Sequence, residues 1–145
     1  MKRILIVVIA LLTIGLLWYY RSHPLASKVR IRGATIAVEV AATETQKQKG
    51  LGGRSSLPQD NGMLFPYDHK EQYNFWMRGM QFPLDFIWID DKIIADITRN
   101  VQPPQGNNIP IVTPAVAIDT ILEVNAGTVD RLGIQIGDTV EFLDR

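Results

Sequence analysis

The stretch YNFWMRGMQFPLDFIWID, residues 73–90, is the most apolar part of the chain after its N-terminus. Its second half sets Leu84, Phe86 and Trp88 at one parity and Asp85, Ile87 and Ile89 at the other, and successive strand residues face opposite sides of a sheet. Both parities are apolar, so the segment reads as a strand covered on both faces. Asp90–Asp91 then makes a turn into KIIADITRNV, residues 92–101, and the two runs form a hairpin. Arg78 and Asp85 interrupt this apolar stretch. A charge among such neighbours needs a partner, and Arg54 and Arg78 are the cations expected to pair with Asp85.

Outward from this hairpin, VRIRGATIAVEVA (29–41) alternates about a turn at Arg32–Gly33. Thr43 with Gln46 three residues on is a capping box, and Gly50 a helix stop, which predicts a short helix over 44–49. GMLFPY (62–67) reads as a short strand at a sheet edge or with Pro66 at a strand end, because Pro66 cannot donate to a ladder. QPPQGNNIPIVTP (102–114) reads as a loop, AVAIDTILEVNAG (115–127) as a strand, and TVDRL (128–132) as a short helix capped by Thr128 and ended by Gly133. A Gly–Asp turn at 137–138 leads into a last strand. Many short strands with two short helices describe a β-dominated α+β domain, a small barrel or a curled, mostly antiparallel sheet.

The 145 residues carry 15 basic and 15 acidic side chains and no cysteine. That balance gives no electrostatic footprint for nucleic acid, and the lack of Cys excludes disulfides and thiolate chemistry. The run from Ile4 to Tyr20 is free of charge and as a helix spans roughly 25 Å, enough for a thin hydrocarbon core. Trp18, Tyr19 and Tyr20 end it like an interfacial belt. An uncleaved anchor over residues 1–21 is favoured over a cleaved signal, since the one candidate cleavage site follows Pro24 too closely. The lipid bilayer is thus an expected partner through residues 4–20. Residues 22–33 read as linker and first strand region, and residues 34–145 as an ectodomain outside the cytoplasmic membrane.

GLGGR (50–54), LPQDNGMLF (57–65), FWMRGMQFPLD (75–85), ILEVNAG (121–127) and RLGIQIGDTV (131–140) together resemble the domain of unknown function 192 family, in the same order and at similar spacing. The resemblance covers residues 34–143. It implies a small β-rich protein, often behind an export signal or membrane anchor, whose biochemical role is not established. The chain departs from the family pattern in two places. FWM is followed by Arg78-Gly79-Met80 where relatives often carry Lys-Asn and a small polar residue, and Gly52 and Gly53 stand where relatives carry bulkier ones.

Arg54, Asp60, Trp76, Arg78 and Asp85 are the candidate ligand-binding residues, expected to ring one polar cleft with the arginines gripping anionic groups. Each has a simpler reading: Arg54 and Asp85 as a buried ion pair, Asp60 as a residue satisfying its own turn. Trp76, Phe82, Phe86 and Trp88 are read first as core and second as a platform for sugar rings. His23 and His69 read as solvated, with no metal set and no cofactor. The leading expectation is an envelope binding or accessory module for a small polar ligand, anionic or carbohydrate. A carbohydrate hydrolase using Asp60 and Asp85, and a scaffold for another envelope protein, are the alternatives.

Overall fold

The computed structural model describes residues 27–143. The expected membrane segment lies outside them, and no helix among the described residues is long and apolar enough to cross a membrane. The elements are β1 (Ser27–Ile31), β2 (Ala34–Val40), α1 (Glu44–Lys49), β3 (Asn61–Glu71), β4 (Phe75–Trp76), β5 (Leu84–Asp90), β6 (Ile93–Val101), β7 (Ile111–Val112), β8 (Ile118–Asn125), α2 (Thr128–Leu132) and β9 (Val140–Leu143).

Seven strands form one sheet in the order β6-β5-β8-β3-β2-β1-β9, and β4 pairs β7 in a separate ribbon. The β2–β3 pair is parallel, so the large sheet is mixed. A parallel pair cannot be closed by a tight turn, and the connection that solves this carries α1. β1 and β2 are joined through Arg32 and Gly33, at φ of 51° and 81°, the left-handed pair that a two-residue hairpin uses. The outermost strands meet at one end only. Ile94 N donates to Asp138 O at 2.9 Å, Gly137 N to Ile94 O at 2.8 Å and Val140 N to Lys92 O at 2.7 Å. These bonds curl the sheet into a half-barrel.

β5 has the two buried faces that its sequence implies. Ile87 and Ile89 join an interior cluster drawn from all seven strands of the sheet, including Val29, Val38, Leu122 and Val140. Leu84, Phe86 and Trp88 join a cluster on the opposite face, together with Phe65, Phe75 and Met77. Phase is kept by ring contacts: Phe75 meets Phe65, Phe86 and Trp88 edge-on at 5.1–6.1 Å, and Trp88 Nε1 donates to Thr98 Oγ1 at 2.9 Å.

Three expectations are corrected. Pro66 does not mark an edge: β3 lies between β2 and β8 and runs to Glu71. Pairing with β2 ends at Leu64, so on that side the proline removes no ladder bond. The proline-rich segment holds a short strand, β7, which β4 fixes by pairing Phe75 with Val112 and Trp76 with Ile111. Thr128 does not cap α2. Gly127 is the N-cap residue, and the cap's hydrogen bond comes from Asp85.

Candidate functional site

Asp85 answers the puzzle of a charge in an apolar strand without an arginine. Its Oδ1 accepts from Asn100 N at 2.8 Å and its Oδ2 from Val129 N at 3.0 Å. The β5–β6 register slips by one residue opposite Asp85, between Leu84↔Val101 and Phe86↔Thr98. That bulge releases the Asn100 amide, and Asn100 itself takes a left-handed φ of 52°. The second bond satisfies an orphan N–H at the start of α2. Asp85 is a clasp between strand, bulge and helix.

A second buried carboxyl has no such partners. Glu123 stands in β8 directly between Met63 of β3 and Phe86 of β5. It is 5% exposed, and its Oε2 has no hydrogen-bond partner. Asp90 Oδ1, the other described atom of this kind, lies against Lys70 Nζ. Burial pushes the Glu123 carboxyl up to about 8, against a weaker opposing pull from Arg54. At neutral pH it is therefore mainly protonated, one O–H donor with acceptor capacity left over.

The capping box forms as the sequence predicts, with Gln46 N donating to Thr43 Oγ1 at 3.2 Å and Thr43 N to Gln46 Oε1 at 2.9 Å. It sets α1 over Glu123's face of the sheet, and Gly50 ends the helix at φ 49°, ψ −137°, a conformation only glycine adopts readily. A Cβ at Gly50 would lie 3.6 Å from Phe65 Cζ and 3.9 Å from Glu123 Oε2. Between α1, Gly50–Gly52, Tyr67, β4 and Arg78 opens a cleft of about 120 Å³, with Glu123 in its lining.

The rim is cationic. Lys47, Lys49 and Arg78 line the cleft, with Glu44 the acid beside the buried Glu123. Lys47 Nζ sits 4.0 Å above the Tyr67 ring and 3.4 Å from Glu44. Tyr67 stacks on Tyr73 at 3.8 Å, and its hydroxyl is pushed up to about 12, first by burial and then by Glu44, Tyr73 and Glu123. Trp76 is 43% exposed and carries the Arg78 guanidinium 4.6 Å from its ring centre.

The five candidate residues do not converge on one cleft. Trp76 and Arg78 line it and touch each other. Arg54 holds Glu39 through two bonds of 2.6 and 2.7 Å, which raise its own affinity for its proton and lower that of Glu39; it acts on Glu123 only through its field. Asp60 is exposed and pairs with Arg131 at 3.0 Å, and Asp85 is the clasp described above. An acid–base pair of Asp60 and Asp85 has no support in this geometry, since both Asp85 oxygens are engaged by backbone. Of the proposed aromatic platform, Phe86 and Trp88 are core and Trp76 is at the rim. Glu123 was missed although ILEVN presents the same signal as PLDF, a carboxyl inside an apolar strand. Among the described residues no group of three or more His, Cys, Asp or Glu side chains converges on a metal position.

The fold has relatives of known structure. A proposed transcription regulator from Sinorhizobium meliloti 1021 is 34% identical, with a TM-score of 0.73 over 80% of this chain and 92% of its own. A protein of unknown function from Novosphingobium aromaticivorans DSM 12444 is 31% identical, with a TM-score of 0.74 over 82% of this chain and 89% of its own. No curated protein matches. The family described as Uncharacterized ACR, domain of unknown function 192, matches residues 27–142, and the chain belongs to it.

Proposed function

We propose that this domain is a binding module of the cell envelope that holds a small oxygen-rich ligand, neutral or anionic, over Glu123. The observation that carries the reading is the unpartnered Glu123 Oε2 at the cleft. Two carboxyls are buried in this sheet. Asp85 is satisfied on both oxygens, as a structural group should be. Glu123 has a free oxygen and faces an opening, so its missing partner comes from outside. A protonated carboxyl both donates and accepts, which suits a hydroxyl or a carboxylate, and the lysines and Arg78 at the rim favour anions. Binding rather than turnover is the reading because Glu44, the other carboxyl at the cleft, is engaged by Lys47. The envelope assignment rests on the uncharged run Ile4–Tyr20.

A regulator working on DNA would need free cations gathered on one face. In this chain Arg30, Arg32, Arg99 and Arg131 are each tied to a carboxylate, and the cations at the cleft outside such pairs are Lys49 and Arg78.

The test is NMR titration of the isotope-labelled full chain with glucose and with galacturonate. Shifts are expected in α1, Gly50–Gly52, Tyr67, the Trp76 indole and Arg78, and are lost in Glu123→Leu. No shift in these residues, or shifts that survive Glu123→Leu, would overturn the reading.

A further inference from the structure

The outer face of the β4–β7 ribbon continues the cleft. Phe75 and Val112 form one cross-strand pair of this ribbon and pack into the core cluster. Trp76 and Ile111 form the next pair, and alternation turns both outward. They are 43% and 65% exposed, and side by side they make an apolar step. Trp76 also lines the cleft, so the step and the cleft share a wall.

Arg78 occupies that wall. Among the described arginines, Arg30, Arg32, Arg54, Arg99 and Arg131 each hold a carboxylate. The interaction that Arg78 makes is with the Trp76 ring. A contact with a ring does not use up the N–H donors of a guanidinium as an ion pair does, and those donors grip a carboxylate in two bonds. An arginine held in place by an aromatic ring, lacking an acid of its own among the described residues and set beside a cleft, is furnished for an acid from elsewhere.

We propose that the ligand is a stretch of acidic polysaccharide, with one sugar unit over Glu123, its neighbour on the Trp76–Ile111 step and a carboxylate on Arg78. This rests on the reading of the cleft given above. A cleft of about 120 Å³ is close to the size of a cavity that holds one benzene ring, so it admits about one sugar unit or a part of it. The step outside has no walls and gains affinity only from something already tethered in the cleft. Sugar rings present apolar C–H faces to aromatic surfaces and adjacent hydroxyls to a carboxyl that donates and accepts at once. An acidic peptide would satisfy Arg78 but brings few hydroxyls for Glu123.

The experiment compares galacturonate, tetragalacturonate, a neutral glucose tetramer and a short poly-glutamate by calorimetric titration of the full chain. Tetragalacturonate is expected to bind about tenfold tighter than the monomer or better, the gain of a tethered second contact. Ile111→Ser should bring the tetramer-to-monomer affinity ratio toward one. Arg78→Gln should erase the preference for the acidic over the neutral tetramer. Equal affinity of monomer and tetramer would overturn the polymer inference while leaving the cleft reading intact. A ratio that survives Ile111→Ser would also overturn it, as would binding of the neutral tetramer alone, and failure of both galacturonate ligands and the neutral tetramer would remove the cleft reading with it. Poly-glutamate binding as tightly as tetragalacturonate would show that charge alone is recognised and overturn the sugar assignment.

Discussion

Replacing Glu123 by Gln should stabilise the ligand-free protein at neutral pH and hardly at all at pH 5. The Glu123 carboxyl ordinarily titrates near 4.5, and burial raises it to about 8 in the folded chain. Below pH 4.5 both folded and unfolded chains hold the proton, and the group is neutral to stability. Between 4.5 and 8 the folded chain keeps a proton that the unfolded chain releases, so stability falls as pH rises, by about 1.4 kcal/mol per pH unit. At pH 7 the accumulated penalty is roughly 3 kcal/mol, and at pH 5 it is under about 1 kcal/mol. Gln has the same shape and no proton to lose. Its own unsatisfied amide costs the same at every pH, so the difference between the two pH values isolates the proton. Urea unfolding of the full chain should show Glu123→Gln gaining about 2.5 kcal/mol at pH 7 relative to its effect at pH 5, and a melting difference on the order of 10 °C. An equal effect at the two pH values would refute the claim that Glu123 is buried without a partner.

Asp85→Ala strands the Asn100 and Val129 amides and should cost about 3–5 kcal/mol in the same unfolding assay. Asp85→Asn retains one acceptor and should lose roughly half of that; a neutral result for Ala would show that the two amides find other partners. Arg54→Met removes the pull that opposes the burial of Glu123, so the Glu123 carboxyl should titrate higher still when followed by carbon NMR, and a downward move would reverse the assigned sign. At Gly62 a Cβ would lie 2.7 Å from Glu123 O and 2.9 Å from Leu122 Cδ1, so Gly62→Ala should part β3 from β8 and cost about 1–3 kcal/mol; unchanged stability would mean that the strands are not so closely set.

What was legible in the sequence was local. The alternation in PLDFIWID, the Arg32–Gly33 turn and the Thr43–Gln46 box each use residues within a few positions of one another, and each formed as read. The edge reading of Pro66 failed because the rule depends on where the neighbouring strand stops, and β2 stops at Val40, opposite Leu64. The cap of α2 was read as Thr128 because a helix's own flank usually supplies the oxygen; here it arrives from Asp85 in β5. Asp85 and Glu123 presented the same signal. Which carboxyl would be satisfied depended on a bulge in β6 for the first and on a glycine loop above β8 for the second, and neither is written within the strand that carries the acid.

The two departures from the family pattern meet at the cleft and explain each other. A Cβ at Gly52 would lie 2.9 Å from Lys49 O and 3.0 Å from Arg78 O, so the backbone after α1 touches the backbone at Arg78 with no room for a side chain. Gly53 N donates to Gly79 O at 2.9 Å across the same contact, and Gly79 has a left-handed φ of 71°. Asparagine is among the few other residues that adopt this conformation readily, so an amide at this position serves the turn whether or not it touches a ligand, and its replacement by glycine keeps the turn. A small residue at 52 then lets the two segments close, and that closure sets the rim of the cleft. The backbone of Arg78 is positioned by these main-chain contacts and its side chain by the Trp76 ring. Neither contact is with a carboxylate, which sets Arg78 apart from the other described arginines.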